Sequence, residues 1–110
     1  MKQPGYRIVV LEPAAHDVQA QFDYIQVRSP SGAQFWYEAY LDALERLKVD
    51  PIGPSRAPEN EHVEEDVRQI LFKTRRGHPY RILYTTVGDE VRVLRVRGLG
   101  QNIIGTEGLL

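Results

Sequence analysis

The sequence contains no cysteine. This excludes a disulfide framework and any thiolate metal site, and it fits a reducing compartment. Its three histidines, His16, His62 and His78, are too scattered for metal-ligand spacing, so neither a metal nor another cofactor is expected. Long hydrophobic runs are also missing. The longest near the N-terminus, Ile8-Val9-Val10-Leu11, falls short of the roughly 18 residues of a membrane span and of the roughly 7–15 of a secretion-signal core. What remains is ordinary: 110 residues, 42% hydrophobic and 26% charged, the composition of a soluble globular domain. A single domain over residues 1–110, cytoplasmic and without membrane association, is the expectation.

Net charge is nearly absent too, at −1, but the balance hides a split. Residues 1–65 hold 6 Lys/Arg against 11 Asp/Glu, and residues 66–110 hold 8 against 4. A basic C-terminal half suits a polyanion or an acidic partner. Equally, the two halves could pack together and neutralise each other.

Hydrophobic periodicity divides the chain. Tyr6–Leu11 is a short β-branched run, predicted as a strand. Pro13 suits the first turn of a helix over about 13–28, in which Val18, Phe22 and Ile25 share a face. Ser29-Pro30 can cap and open a second helix over about 30–49, with Ala33, Trp36, Tyr40, Leu44 and Leu47 as its buried stripe. Phe35, Tyr37 and Leu41 widen that stripe and predict contacts on more than one side. The short break makes the pair an antiparallel hairpin. Residues 51–66, with Pro51, Gly53, Pro54, Pro58 and five acidic side chains, form a long loop. Strands over about 67–74, 80–87 and 91–97 follow as an antiparallel meander, then an apolar tail over 98–110. The expected fold is two-layer α+β: an N-terminal strand and a helical hairpin packed on one face of an antiparallel sheet. The other face stays open to solvent or a partner.

Register decides what that open face carries. A two-residue turn at Gly88-Asp89 would pair Ile82 with Arg95 and drive a guanidinium into the core. A three-residue turn, Gly88 to Glu90, pairs Tyr84 with Leu94 and Ile82 with Val96. Burying an unpaired guanidinium costs far more than a less common loop, so the three-residue register is expected. Lys73, Arg81, Arg95 and Arg97 then share the open face, with Arg75 and Arg76 at its margin. Like charges so close repel unless an anion or acidic surface lies between them, which makes these the candidate phosphate- or partner-binding residues. The alternative is that they pair with the protein's own carboxylates.

Other features carry weaker signals. His78 could be an acid or base near Arg81, or a solvated turn residue. Asp17 with Asp23, and Glu64-Glu65-Asp66, are expected to be solvated charge rather than paired carboxylates. Trp36, Tyr37 and Tyr40 fit core packing better than a base-stacking platform. Gly98-Leu99-Gly100 lacks the strand–loop–helix context of a phosphate loop. The tail Ile103–Leu110 would pack on the sheet or mark a partner's place.

Taken in order, these pieces resemble the RelE/ParE superfamily of toxin–antitoxin toxins, also called plasmid stabilisation proteins. The likeness runs over about residues 6–101. It is carried by Tyr6–Leu11 followed by Ala14-Ala15, Tyr24-Ile25, Ser29-Pro30, Leu44 and Leu47 before Pro51 and Gly53, Pro79-Tyr80-Arg81-Ile82-Leu83-Tyr84, and Val93-Leu94-Arg95-Val96-Arg97. The resemblance implies an intracellular toxin neutralised by a cognate antitoxin, either as a homodimer or in a toxin–antitoxin hetero-oligomer. It implies one of two targets: the ribosome and its mRNA, cut by a metal-independent endoribonuclease, or DNA gyrase, inhibited without catalysis. Arg81 matches the family's phosphate-binding arginine and is the best catalytic candidate if there is one; Lys73 matches the basic residues of the preceding strand. RNA cleavage also needs a base and a proton donor, and arginine, with a pKa above about 12, cannot be the base. The ribonuclease members place His, Lys, Arg or Tyr after the last strand, where this chain has Gly98-Leu99-Gly100-Gln101-Asn102-Ile103-Ile104. The gyrase-directed reading is favoured; the alternatives are a ribonuclease with a reduced site or a non-toxic antitoxin-binding orphan.

Overall fold

Two prolines, each in the first turn of a helix, and one serine between them organise the N-terminal half. The computed structural model describes residues 5–53, 66–75 and 77–98. The chain runs β1 (Arg7–Val10), α1 (Glu12–Arg28), α2 (Pro30–Val49), β2 (Arg68–Phe72), β3 (Tyr80–Val87) and β4 (Glu90–Gly98). Ser29 is extended, so it ends one helix and begins the next. Its N–H closes α1 on the Ile25 carbonyl at 2.8 Å, and its Oγ accepts from the Gly32 N–H at 3.0 Å. Such a cap stabilises a helix by about 1 kcal/mol. Asp50 closes α2 and then accepts from the Gly53 N–H at 2.9 Å, turning the chain away.

The sheet order is β1-β4-β3-β2. Strands β2, β3 and β4 form the antiparallel meander, but β1 joins β4 in parallel, so the sheet is mixed rather than wholly antiparallel. Parallel neighbours need a long crossover, which the hairpin and the meander together provide. Both helices lie on one face. Their buried stripes meet Ile70, Phe72, Ile82, Tyr84, Val91, Val93 and Val96 in one core. Trp36 lies parallel to Tyr40, with ring centroids 6.2 Å apart, and meets Tyr80 edge-on at 5.4 Å. The predicted contacts on a second side of α2 are only partly realised. Tyr37 meets Phe22 edge-on, whereas Phe35 and Leu41 remain exposed.

The β3–β4 register differs from both sequence alternatives. The turn is the two-residue one, Val87 facing Glu90, with Gly88 at φ +61°. A β-bulge between Leu83 and Tyr84 then gives β4 one extra residue, Leu94, so Ile82 still faces Val96 and Leu83 faces Arg95. The guanidinium stays out of the core through a bulge rather than a longer loop. Lys73 and Thr74 lie past the end of β2. Residues 54–65 of the predicted loop, His62 among them, Arg76 and the tail from residue 99 onward lie outside the described residues.

Candidate functional site

The face turned away from the helices is not uniformly open. At its centre Leu83, Leu94 and Val67 form a small buried cluster with Leu11 packed against it. The bulge produces this, because it places Leu94 beside Arg95 on the outer side.

Next to that cluster, Arg81 and Arg97 face each other across β3 and β4, with Leu71 of β2 completing the row. Arg81 Nη1 donates to Gln69 Oε1 at a long 3.4 Å. Arg97 Nε is shielded from solvent and has no hydrogen-bond partner among the described residues. A sheltered, charged donor without an acceptor is costly. An incoming carboxylate or phosphate would supply the acceptor and screen two neighbouring positive charges.

Arg95, one strand position further along, is engaged within the fold. Its Nε and Nη2 donate to the two carboxylate oxygens of Asp17 at 2.7 and 2.9 Å. The same carboxylate accepts the Val96 backbone N–H at 3.0 Å. Strand β1 ends at Val10, so among the described residues the second half of β4 has no strand partner on that side; Asp17 of α1 takes the bond a strand would have taken. The side chains of Arg95 and Asp17 are only 20% and 16% exposed. Donating these hydrogen bonds to Asp17 holds the Arg95 guanidinium above its ordinary pKa. Arg95 is therefore withdrawn from the expected cation row, and Asp17, expected to be solvated, is the residue that withdraws it.

Lys73 and Arg75 are on the other side of the molecule's edge. Lys73 lines a groove with Ala39, Asp42, Arg46 and Phe72. Arg75 lines its continuation with Phe35, Glu38 and Thr74. The five predicted cations that lie within the described residues thus separate into a facing pair, Arg81 and Arg97; an internal ion pair, Arg95; and two groove residues beside α2, Lys73 and Arg75. The strand ends before Lys73, so the alternation that would have aimed it outward no longer applies.

No acid–base machinery accompanies the Arg81–Arg97 row among the described residues. Tyr80 points to the helix side and donates to Gln21 at 3.2 Å, and burial pushes its pKa up. Tyr84 is buried on the same side, donating to the Pro51 carbonyl at 2.6 Å, with its pKa pushed by burial to about 12. His78 is exposed in the β2–β3 connection. Asp23 is exposed and bound to Gln19 rather than to Asp17. No cluster of His, Cys, Asp and Glu among the described residues could hold a metal ion, and no described helix is long and apolar enough to cross a membrane.

Residues 8–102 match the family described as the ParE toxin of type II toxin–antitoxin systems, parDE. Among solved structures, the "Chromosomal ParDE TA system from P. aeruginosa" superposes with a TM-score of 0.63 at 21% identity, over 84% of this chain and 95% of that one. At that identity the likeness is one of fold. No curated protein matched the chain.

Proposed function

The chain belongs to the ParE toxin family of type II toxin–antitoxin systems, and from that membership we propose that it arrests growth in the cytoplasm by binding DNA gyrase without catalysing a reaction. It is a type II toxin, and its partner is a cognate antitoxin. The observation that carries the gyrase reading is the composition of the outer face: a cross-strand arginine pair beside a sheltered apolar cluster, with no described group there suited to move a proton near neutral pH. Cleaving RNA requires such a group within reach of the ribose hydroxyl. Holding a macromolecule requires only complementary charge and shape.

In this reading Arg81 and Arg97 contact acidic or phosphate groups of the target. Arg95 and Asp17 are positioning residues that hold β4 in register beneath them. The test is a supercoiling assay with purified gyrase, alongside mRNA cleavage on translating ribosomes. Inhibited supercoiling that Arg81→Ala weakens by roughly tenfold or more, with unchanged circular dichroism, is the expected result; losing a hydrogen bond to a charged group costs about 1.5–3 kcal/mol. Undisturbed supercoiling with cleaved mRNA would transfer the assignment to a ribonuclease.

A further inference from the structure

The three strands of the meander carry one outward row, Leu71, Arg81 and Arg97, read from β2 to β4. Leu71 is 55% exposed, so the fold leaves an apolar side chain in water beside two guanidinium groups. Like charges directly opposite on neighbouring strands are destabilising, and Arg97 Nε is shielded from solvent without an acceptor among the described residues. The molecule itself shows how such an arginine is satisfied. Two residues back along β4, Arg95 turns its Nε and Nη2 to the two oxygens of one carboxylate, at 2.7 and 2.9 Å. That carboxylate is carried by a helix, as Asp17 of α1.

We propose that the Leu71–Arg81–Arg97 row holds an acidic helix of the target, with two carboxylates on the arginines and an apolar side chain on Leu71. The inference rests on the reading of this face as the target-binding surface, and it names what that surface grips. Charge, composition and spacing select the occupant. A protein that holds duplex DNA through its backbone draws on several phosphate contacts, about 6–10 where affinity is strongly salt-dependent. Here Arg92 is turned to Glu90 at 3.1 Å and Arg95 to Asp17, while Lys73 and Arg75 line the groove beside α2 with Asp42 and Glu38. The row therefore meets its partner with two cations. A phosphate backbone also offers Leu71 nothing to bury against, whereas a leucine-sized side chain does.

Neighbouring positions of the row lie one strand spacing apart, so Leu71 and Arg97 are separated by roughly 10 Å. Residues i, i+4 and i+7 of a helix cover about 10.5 Å along its axis. Three same-face residues of an extended chain cover about 13 Å. The row thus matches a helix laid across the strands, with its two acidic residues one turn apart. Arg81 Nη1 already donates to Gln69, but a guanidinium has further N–H donors and can take a carboxylate without giving up that bond.

NMR titration of the full-length chain tests this, with an alanine-based helical peptide of about sixteen residues carrying Glu at i and i+4 and Leu at i+7. Saturable binding is expected, with a downfield shift of the Arg97 Nε–H resonance. Replacing both peptide Glu by Gln leaves the protein untouched and should weaken binding roughly tenfold or more. Arg97→Lys keeps the charge but loses the two-pronged donor, and Leu71→Ser loses the apolar contact; each should weaken binding about fivefold. A single-stranded oligonucleotide that binds more tightly than the peptide overturns the proposal in favour of a phosphate site. So does peptide binding indifferent to these changes, or no binding at millimolar peptide. The gyrase reading fails separately. Peptide binding without inhibited supercoiling supports the acidic-helix site and removes gyrase as its owner; inhibited supercoiling without peptide binding keeps gyrase and overturns the site.

Discussion

Replacing Asp17 by alanine removes three hydrogen bonds at once: two from the Arg95 guanidinium and one from the Val96 N–H. A fully exposed ion pair would contribute at most about 1 kcal/mol, and breaking a fully buried one costs about 3–5 kcal/mol. Both side chains are about four-fifths buried, so water can reach the orphaned Arg95 only in part. We expect Asp17→Ala to cost about 3 kcal/mol, which lowers the melting temperature of a domain this size by roughly 10–20 °C. Arg95→Ala should cost less, because Asp17 would still accept the Val96 N–H and would keep some contact with water. The pair of single variants and the double variant, unfolded in urea, give the coupling directly. It should exceed about 1.5 kcal/mol and change little with added salt, since sheltered charges are weakly screened. Additive single effects, or an Asp17→Ala loss below about 0.5 kcal/mol, would refute the claim that this carboxylate closes the sheet edge.

Alkali supplies a second test. Burial raises Tyr40 and Tyr84 from 10.0 to about 12, so the folded chain keeps those protons where the unfolded chain has lost them. The associated stability is complete below pH 10 and disappears as pH rises towards 12, at about 2–3 kcal/mol per tyrosine. Tyr84→Phe should lose about 1 kcal/mol at neutral pH with its bond to Pro51, yet show a shallower alkaline decline in urea titrations at pH 7, 9 and 11. Gly88→Ala should lower stability by about 1 kcal/mol. A Cβ there meets nothing within 4 Å, so the whole cost is the positive φ, and Gly88→Asn should be milder by thermal melt.

Periodicity and capping made the two helices legible, because Pro13, Ser29-Pro30 and Asp50 act within a turn of where they stand. The meander was legible for the same local reason. The parallel place of β1 was not, since pairing between strands some eighty residues apart leaves no local mark. The β3–β4 register shows how a sound premise can miss its means. Keeping Arg95 out of the core was the governing cost, but a bulge at Leu94 met it while preserving the favoured Gly88 turn, and bulges have no strong sequence signal. Asp17 could have been found. Judged from Val18, Phe22 and Ile25 it falls off the stripe; starting the arc at Ala14, which is fully buried, places Asp17 one turn on at its flank, where a solvated charge is out of place. Lys73 and Arg75 were misplaced because alternation was extended beyond the last residue of β2.

The strand that accepts β1 and the strand that presents Arg97 are the same one, β4, and β4 is the last of the four to be synthesised. A nascent chain that has emerged only as far as β3 can hold neither the N-terminal strand in its place nor the arginine pair. The arginine pair therefore forms only once β4 has been made, after both helices and the other three strands.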